Sequence, residues 1–203
     1  MTWRRGFTVV ELVVVMVVMA ILLTLGVVNL SSSQTNARNV ERSNDIDVIA
    51  KGLESRYLRG NSFVTPPVSY ITKGTYPSVN ELLHAEGNAV AGILPAPPVN
   101  GYIENLLPGT VLAGFLPPSV SSTATIKDAF IPICATASTS PCSAANTGAE
   151  DTAKINAATT ANVYVYEPIT ADNKVCFNTA CVRFNLYYLP ENGTIQTKAS
   201  KHQ

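Results

Sequence analysis

The chain has 203 residues, enough for one ordinary domain with a single core once any anchor is set aside. Charged residues make up 14% of it and balance at 14 basic against 14 acidic, so no basic field exists to attract nucleic acid and no acidic tail signals disorder. The apolar residues are unevenly placed: Leu12 to Val28 contains no charged, amide or proline side chain.

The N-terminus opens with Arg4 and Arg5, after which Phe7 to Leu30 is apolar apart from Thr8, Glu11, Thr24, Gly26 and Asn29. As a helix this stretch extends roughly 36 Å, enough to cross a hydrocarbon core of about 30 Å. Basic residues before it and a mixed-sign segment after it place the N-terminus in the cytoplasm and the remainder across the membrane. A secretory signal peptide has a shorter apolar region and a small-x-small exit, and Val27-Val28-Asn29-Leu30-Ser31 offers no such exit. The same missing exit counts against a twin-arginine signal, despite Arg4-Arg5-Gly6-Phe7. A plain uncleaved signal anchor leaves Glu11 unexplained. A carboxylate in an apolar helix costs on the order of 3 kcal/mol at mid-bilayer and needs a partner. Cutting the bond after Gly6 supplies one, because Phe7 then carries a free α-amine four residues from Glu11.

The series Arg4-Arg5-Gly6-Phe7-Thr8-Val9-Val10-Glu11-Leu12, followed by its uncharged run, resembles the prepilin leader of type IV pilins and type II secretion pseudopilins. The likeness covers about the first 30 residues, with a looser stem resemblance to about residue 58. It implies that a prepilin peptidase cuts between Gly6 and Phe7 and N-methylates the Phe7 amine. It also implies that Glu11 pairs with the Phe7 amine of a neighbouring subunit and so guides register during assembly. One departure is visible: many such pilins carry a helix-breaking proline in the apolar segment, whereas no proline occurs here before Pro66. Gly26 is the soft point that remains, at a cost of about 1 kcal/mol against about 3 for proline.

Beyond Leu30 the polar run Ser31 to Asn36 has the composition of a linker, yet Ile46, Ile49, Leu53 and Tyr57 then recur at helical spacing, with Asp47 and Lys51 as an i,i+4 pair on another face. Arg56 and Arg59 in the last turn, then Gly60 and Pro66-Pro67, mark a stop. The expectation is one helix of about 50 residues. From Val64 to Ala161 the chain is loop-rich, with Ser78-x-x-Glu81 reading as a capping box that opens a short helix to about Glu86. The preceding Tyr76-Pro77 step is another feature shared with many pilin-like heads. Asn162 to Tyr166 and Val182 to Tyr187 alternate as half-buried strands, Asn192-Gly193 favours a tight hairpin, and Thr194 to Lys198 completes an antiparallel meander. Val182, Phe184 and Leu186 form its inward set.

Cys134 and Cys142, and Cys176 and Cys181, are two sequence-local pairs, and outside the cytoplasm such thiols pair. Four cysteines allow three connectivities, of which the two local bridges, Cys134–Cys142 and Cys176–Cys181, are favoured. A four-thiolate zinc site is the rival, but neither pair has C-x2-C spacing. No nucleophile, metal-hydrolase or phosphate-loop motif occurs. His84 and His202 read as solvated, and Glu167, Asp172 and Glu191 read as solvated turn carboxylates rather than calcium ligands.

The sequence therefore predicts an α+β protein in which a long N-terminal α-helix, half membrane-spanning and half amphipathic, packs on a C-terminal antiparallel β-sheet head. The expected divisions are a cleaved leader at 1–6, a membrane or filament-core helix at 7–30, the amphipathic half of the stem at 31–60, and an extracytoplasmic head at 61–203. The expected function is that of a non-enzymatic filament subunit without cofactor, metal, small-molecule substrate or nucleic-acid site. Its partners would be the cytoplasmic membrane, prepilin peptidase and other pilin subunits, and its destination a surface filament or periplasmic pseudopilus. The alternative is a membrane-tethered extracytoplasmic binding module with an uncleaved anchor.

Overall fold

The computed structural model describes residues 7–59, 73–85, 107, 115–118, 120, 129–133, 160, 162–177, 180–191 and 193–202. The chain divides into two compact units, Met1–Asn39 and Val40–Gln203. Helix α1, Val9–Arg59, runs through the boundary between them. The polar run from Ser31 is thus helix rather than linker, which fits a segment containing neither glycine nor proline.

In the first unit apolar side chains of α1 are exposed: Val9, Leu12, Met16, Ile21 and Leu25 all lie open. The most apolar 18 residues of α1 have a mean hydropathy of 2.8 and none is buried. Their length and composition suffice to cross a membrane.

In the second unit the remaining part of α1 changes character. Ile46, Ile49 and Leu53 are buried and Tyr57 packs against the same cluster, so the helical stripe legible in the sequence is the core-facing one. Each such burial stabilises by about 1.5–3 kcal/mol. The facing sheet has four strands: β1 (Phe130–Pro132), β2 (Tyr164–Ile169), β3 (Arg183–Tyr188) and β4 (Gln196–Ala199), in that spatial order. Strands β2 to β4 form the antiparallel meander, but β1 pairs with β2 in parallel, so the sheet is mixed. Because side chains alternate across a strand, the register groups Phe130, Tyr164, Tyr166, Phe184 and Leu186 on one face, and these share a cluster with the α1 stripe. Tyr76 meets Phe184 edge-to-face at 4.8 Å. The opposite face is buried as well: Val165 and Tyr187 belong to a second cluster with Val79 and Ile133.

Several local expectations need correcting. Val182 is half-buried and precedes β3, leaving Phe184 and Leu186 as the inward pair. The β3–β4 connection spans 189–195, longer than a two-residue hairpin; Pro190 cannot donate to a ladder, and its carbonyl instead accepts the Gly193 amide at 3.3 Å. Asn192 lies outside the described residues. Asp47 pairs with Lys198 of β4 at 2.9 Å rather than with Lys51, because the register turns Lys198 toward α1.

The short helix α2, Val79–Ala85, has the expected capping box. The Ser78 amide donates to Glu81 Oε2 at 2.7 Å, and the Glu81 amide donates to Ser78 Oγ at 3.2 Å. Its first amides are also satisfied: Val79 donates to the Cys176 carbonyl at 2.9 Å and Asn80 to that of Phe177 at 3.3 Å. Cys176 and Cys181 are joined by a disulfide, and the Cys181 carbonyl accepts the Tyr76 amide at 2.9 Å. The bridged loop therefore holds both the approach to α2 and its first turn. Cys134 and Cys142 lie outside the described residues.

Two arginines close the ends of the α1 stripe. Arg42 is fully buried and donates to Glu191 at 3.1 Å. Arg56 is 3% exposed and donates to Glu81 Oε1 at 2.8 Å, so it is a core cation and not a solvated end-of-helix charge. Glu81 thus caps α2 with one oxygen and neutralises α1 with the other. Three tyrosine hydroxyls from the same core also find acceptors: Tyr164 on Asp45 at 2.9 Å, Tyr166 on the Pro77 carbonyl at 2.7 Å, and Tyr76 on Glu54 at 3.0 Å. Burial pushes the Tyr166 phenol well above its ordinary range.

Candidate processing and assembly site

Among residues 7–12 the chain enters α1 at Val9, and Thr8 is the residue that leads into it. The Thr8 carbonyl accepts the amides of Glu11 at 3.1 Å and Leu12 at 3.3 Å, which places Thr8 at the N-cap. Its hydroxyl accepts the Glu11 amide, and both its own amide and its hydroxyl donate to Glu11 Oε2, each at 3.3 Å. Thr8-Val9-Val10-Glu11 is therefore a capping box, with the carboxylate near the positive end of the helix dipole. The sequence signal is the same Ser/Thr-x-x-Glu spacing that opens α2 at Ser78-x-x-Glu81.

Phe7 is 79% exposed and lies one helical turn from Glu11. Gly6 lies outside the described residues. The Glu11 carboxylate is exposed, its Oε2 holds both Thr8 bonds, and Oε1 accepts none among the described residues. Bonds of 3.3 Å from neutral donors are weak compared with a charge-assisted bond from an ammonium, which runs at about 2.7–2.9 Å. The carboxylate is thus held in place yet open to a cationic partner.

The other candidate residues do not converge. Glu167 is in β2 rather than a loop and is fully buried, accepting from Tyr187 Oη at 2.7 Å and from Asn185 Nδ2 at 3.0 Å. Asp172 is exposed in a turn, and Glu191 pairs with Arg42. No group of three or more metal-ligating side chains occurs among the described residues. His84 lies in α2, while His202 is exposed, as expected, and one face of its ring stacks on Tyr57 with centroids 4.2 Å apart.

Residues 4–27 match the family described as the prokaryotic N-terminal methylation motif. No curated protein and no solved structure matches the chain. The matched motif is the prepilin signal of type IV pilins and pseudopilins, and its span contains Gly6, Phe7 and Glu11. It supports a pilin-like precursor processed at its N-terminus, with one apolar helix that fits a membrane anchor.

Proposed function

We propose that the chain is a structural subunit of a type IV pilus or a related filament. It is made as a membrane-anchored precursor, cleaved after Gly6 by a prepilin peptidase and N-methylated at Phe7. Assembly runs through the exposed apolar part of α1, with Glu11 pairing with the Phe7 amine of a neighbouring subunit. The observation that carries this reading is the coincidence of the methylation motif with a capped, exposed carboxylate at Glu11 at the head of an apolar helix. Burying that helix among identical helices leaves a carboxylate that requires a positive partner, and a processed neighbour brings one.

The test is Glu11→Val expressed beside a prepilin peptidase. Membrane insertion and cleavage persist in the variant, and the sheared filament fraction loses the protein. Should Glu11→Val leave localisation and every extracytoplasmic activity intact, with no wild-type protein in any filament fraction, the chain is a tethered binding module instead.

A further inference from the structure

The segment following β4 does not leave the sheet freely. Ser200 is 5% exposed; its amide donates to the Phe184 carbonyl at 2.9 Å and its hydroxyl oxygen accepts the Phe184 amide at 3.3 Å. From that fixed point the next two residues reach back onto the last turns of α1, and both converge on Glu54. The Lys201 amide donates to Glu54 Oε1 at 2.8 Å. His202 Nε2 stands 3.4 Å from Glu54 Oε2, and its ring lies nearly parallel to that of Tyr57. The same Oε2 accepts the Tyr76 hydroxyl. Tyr76 and Tyr57 are themselves in contact at 4.8 Å, and the Gly74 amide donates to the Tyr57 carbonyl at 2.9 Å. One carboxylate thus joins α1, the approach to α2 and the segment after β4.

We infer that Ser200–His202 is a proton-operated clasp, in which the protonated His202 imidazole paired with Glu54 locks the segment onto α1 and its deprotonation loosens it about Ser200. Among the described residues, the titratable groups facing His202 are Glu54 and Tyr57 from α1 and Tyr76 from the approach to α2; on its own segment Lys201 carries a charge, and the Ser200 hydroxyl donates to the His202 carbonyl at 3.0 Å. Burial, and after it the Glu54 carboxylate, hold the Tyr76 phenol above its ordinary range, so it stays neutral and keeps donating. Histidine is the side chain that changes charge between pH 5 and 8. Protonated, it gives Glu54 a cation; neutral, it keeps the Tyr57 stack and the bond from the Ser200 hydroxyl to its carbonyl at 3.0 Å but loses the charge, so the segment loosens without detaching. His202 and the Lys201–Glu54 bond lie near solvent, whereas Ser200 is buried, so opening is local and hinges at Ser200.

The experiment is amide hydrogen exchange by NMR on the full-length protein in detergent micelles at pH 5.5 and pH 8, corrected for intrinsic exchange. Protection of the Lys201 amide falls by about two- to fivefold between the two, the size expected of a half-exposed ion pair. Protection of the Ser200 amide does not change. In His202→Gln and in Glu54→Gln, which keeps an acceptor for Lys201, the Lys201 protection is the same at both pH values. Equal wild-type protection at both pH values overturns the clasp. So does a parallel loss at Ser200, or a pH dependence that survives in His202→Gln.

Discussion

At the scale of single residues, the core of the second unit is controlled by a few charged groups held by named partners. Asp45 accepts from Tyr164, yet burial first, and the nearby Glu41 charge with it, push its carboxyl up to about 6 against that hydrogen bond. The folded state therefore holds the Asp45 proton more tightly than the unfolded chain, where it titrates near 3.8. The stability this contributes is full below about pH 4 and is lost as the pH rises through about 6. Asp45→Asn removes the titration, so its denaturation midpoint relative to wild type climbs from pH 4 to 6 and is level above. A difference that stays flat over that range contradicts the assignment. Glu81→Ala strips α2 of its cap and leaves Arg56 buried without a counter-charge, a loss of about 3 kcal/mol in urea denaturation. Glu81→Gln, which keeps the acceptor for the Ser78 amide, loses less, and adding Arg56→Met to Glu81→Ala recovers most of the loss. The cap was legible because its signal lies within four residues. The Arg56 pairing was not, since burial of a charge depends on a partner 25 residues away that folding supplies.

Among the elements, those with a local period were readable and those defined by a distant neighbour were not. The helix α1 and strand β3 follow from apolar periodicity and β-branched or aromatic alternation, but β2 only in its first half: the alternation from Asn162 ends at Tyr166, whereas the strand runs from Tyr164 to Ile169 and is buried throughout. Strand β1 is three residues long and exists through its parallel pairing with β2, so nothing within Phe130–Pro132 announces it. Glu167 misled for a related reason: its carboxylate suggested a turn, but β2 is covered on both faces and Tyr187 and Asn185 satisfy it. The loops that hold α2 make two further expectations. Gly74 sits at φ +80°, where a side chain is strained, so Gly74→Ala costs about 1 kcal/mol or more. Replacing Cys176 and Cys181 together by serine removes a short closed loop and costs about 2 kcal/mol. Thermal melts followed by near-ultraviolet circular dichroism check both, the second by agreement with wild type under reducing conditions.

On the scale of the whole molecule, one continuous helix carries two kinds of surface. Its first part exposes apolar residues that water does not tolerate, and its later part is the core wall of the second unit. The absence of proline before Pro66 agrees with an α1 unbroken from Val9 to Arg59. The Thr8–Glu11 box sharpens the assembly proposal, because it fixes the carboxylate at the very start of that helix before any neighbour arrives. On the proposed function, the chain is processed between Gly6 and Phe7 and enters a filament. N-terminal mass analysis of sheared surface filaments, from cells that produce a prepilin peptidase, tests it most directly. The expected result is a mature chain that begins with N-methylated Phe7; a chain that still begins at Met1, or is missing from the filaments altogether, overturns the proposal.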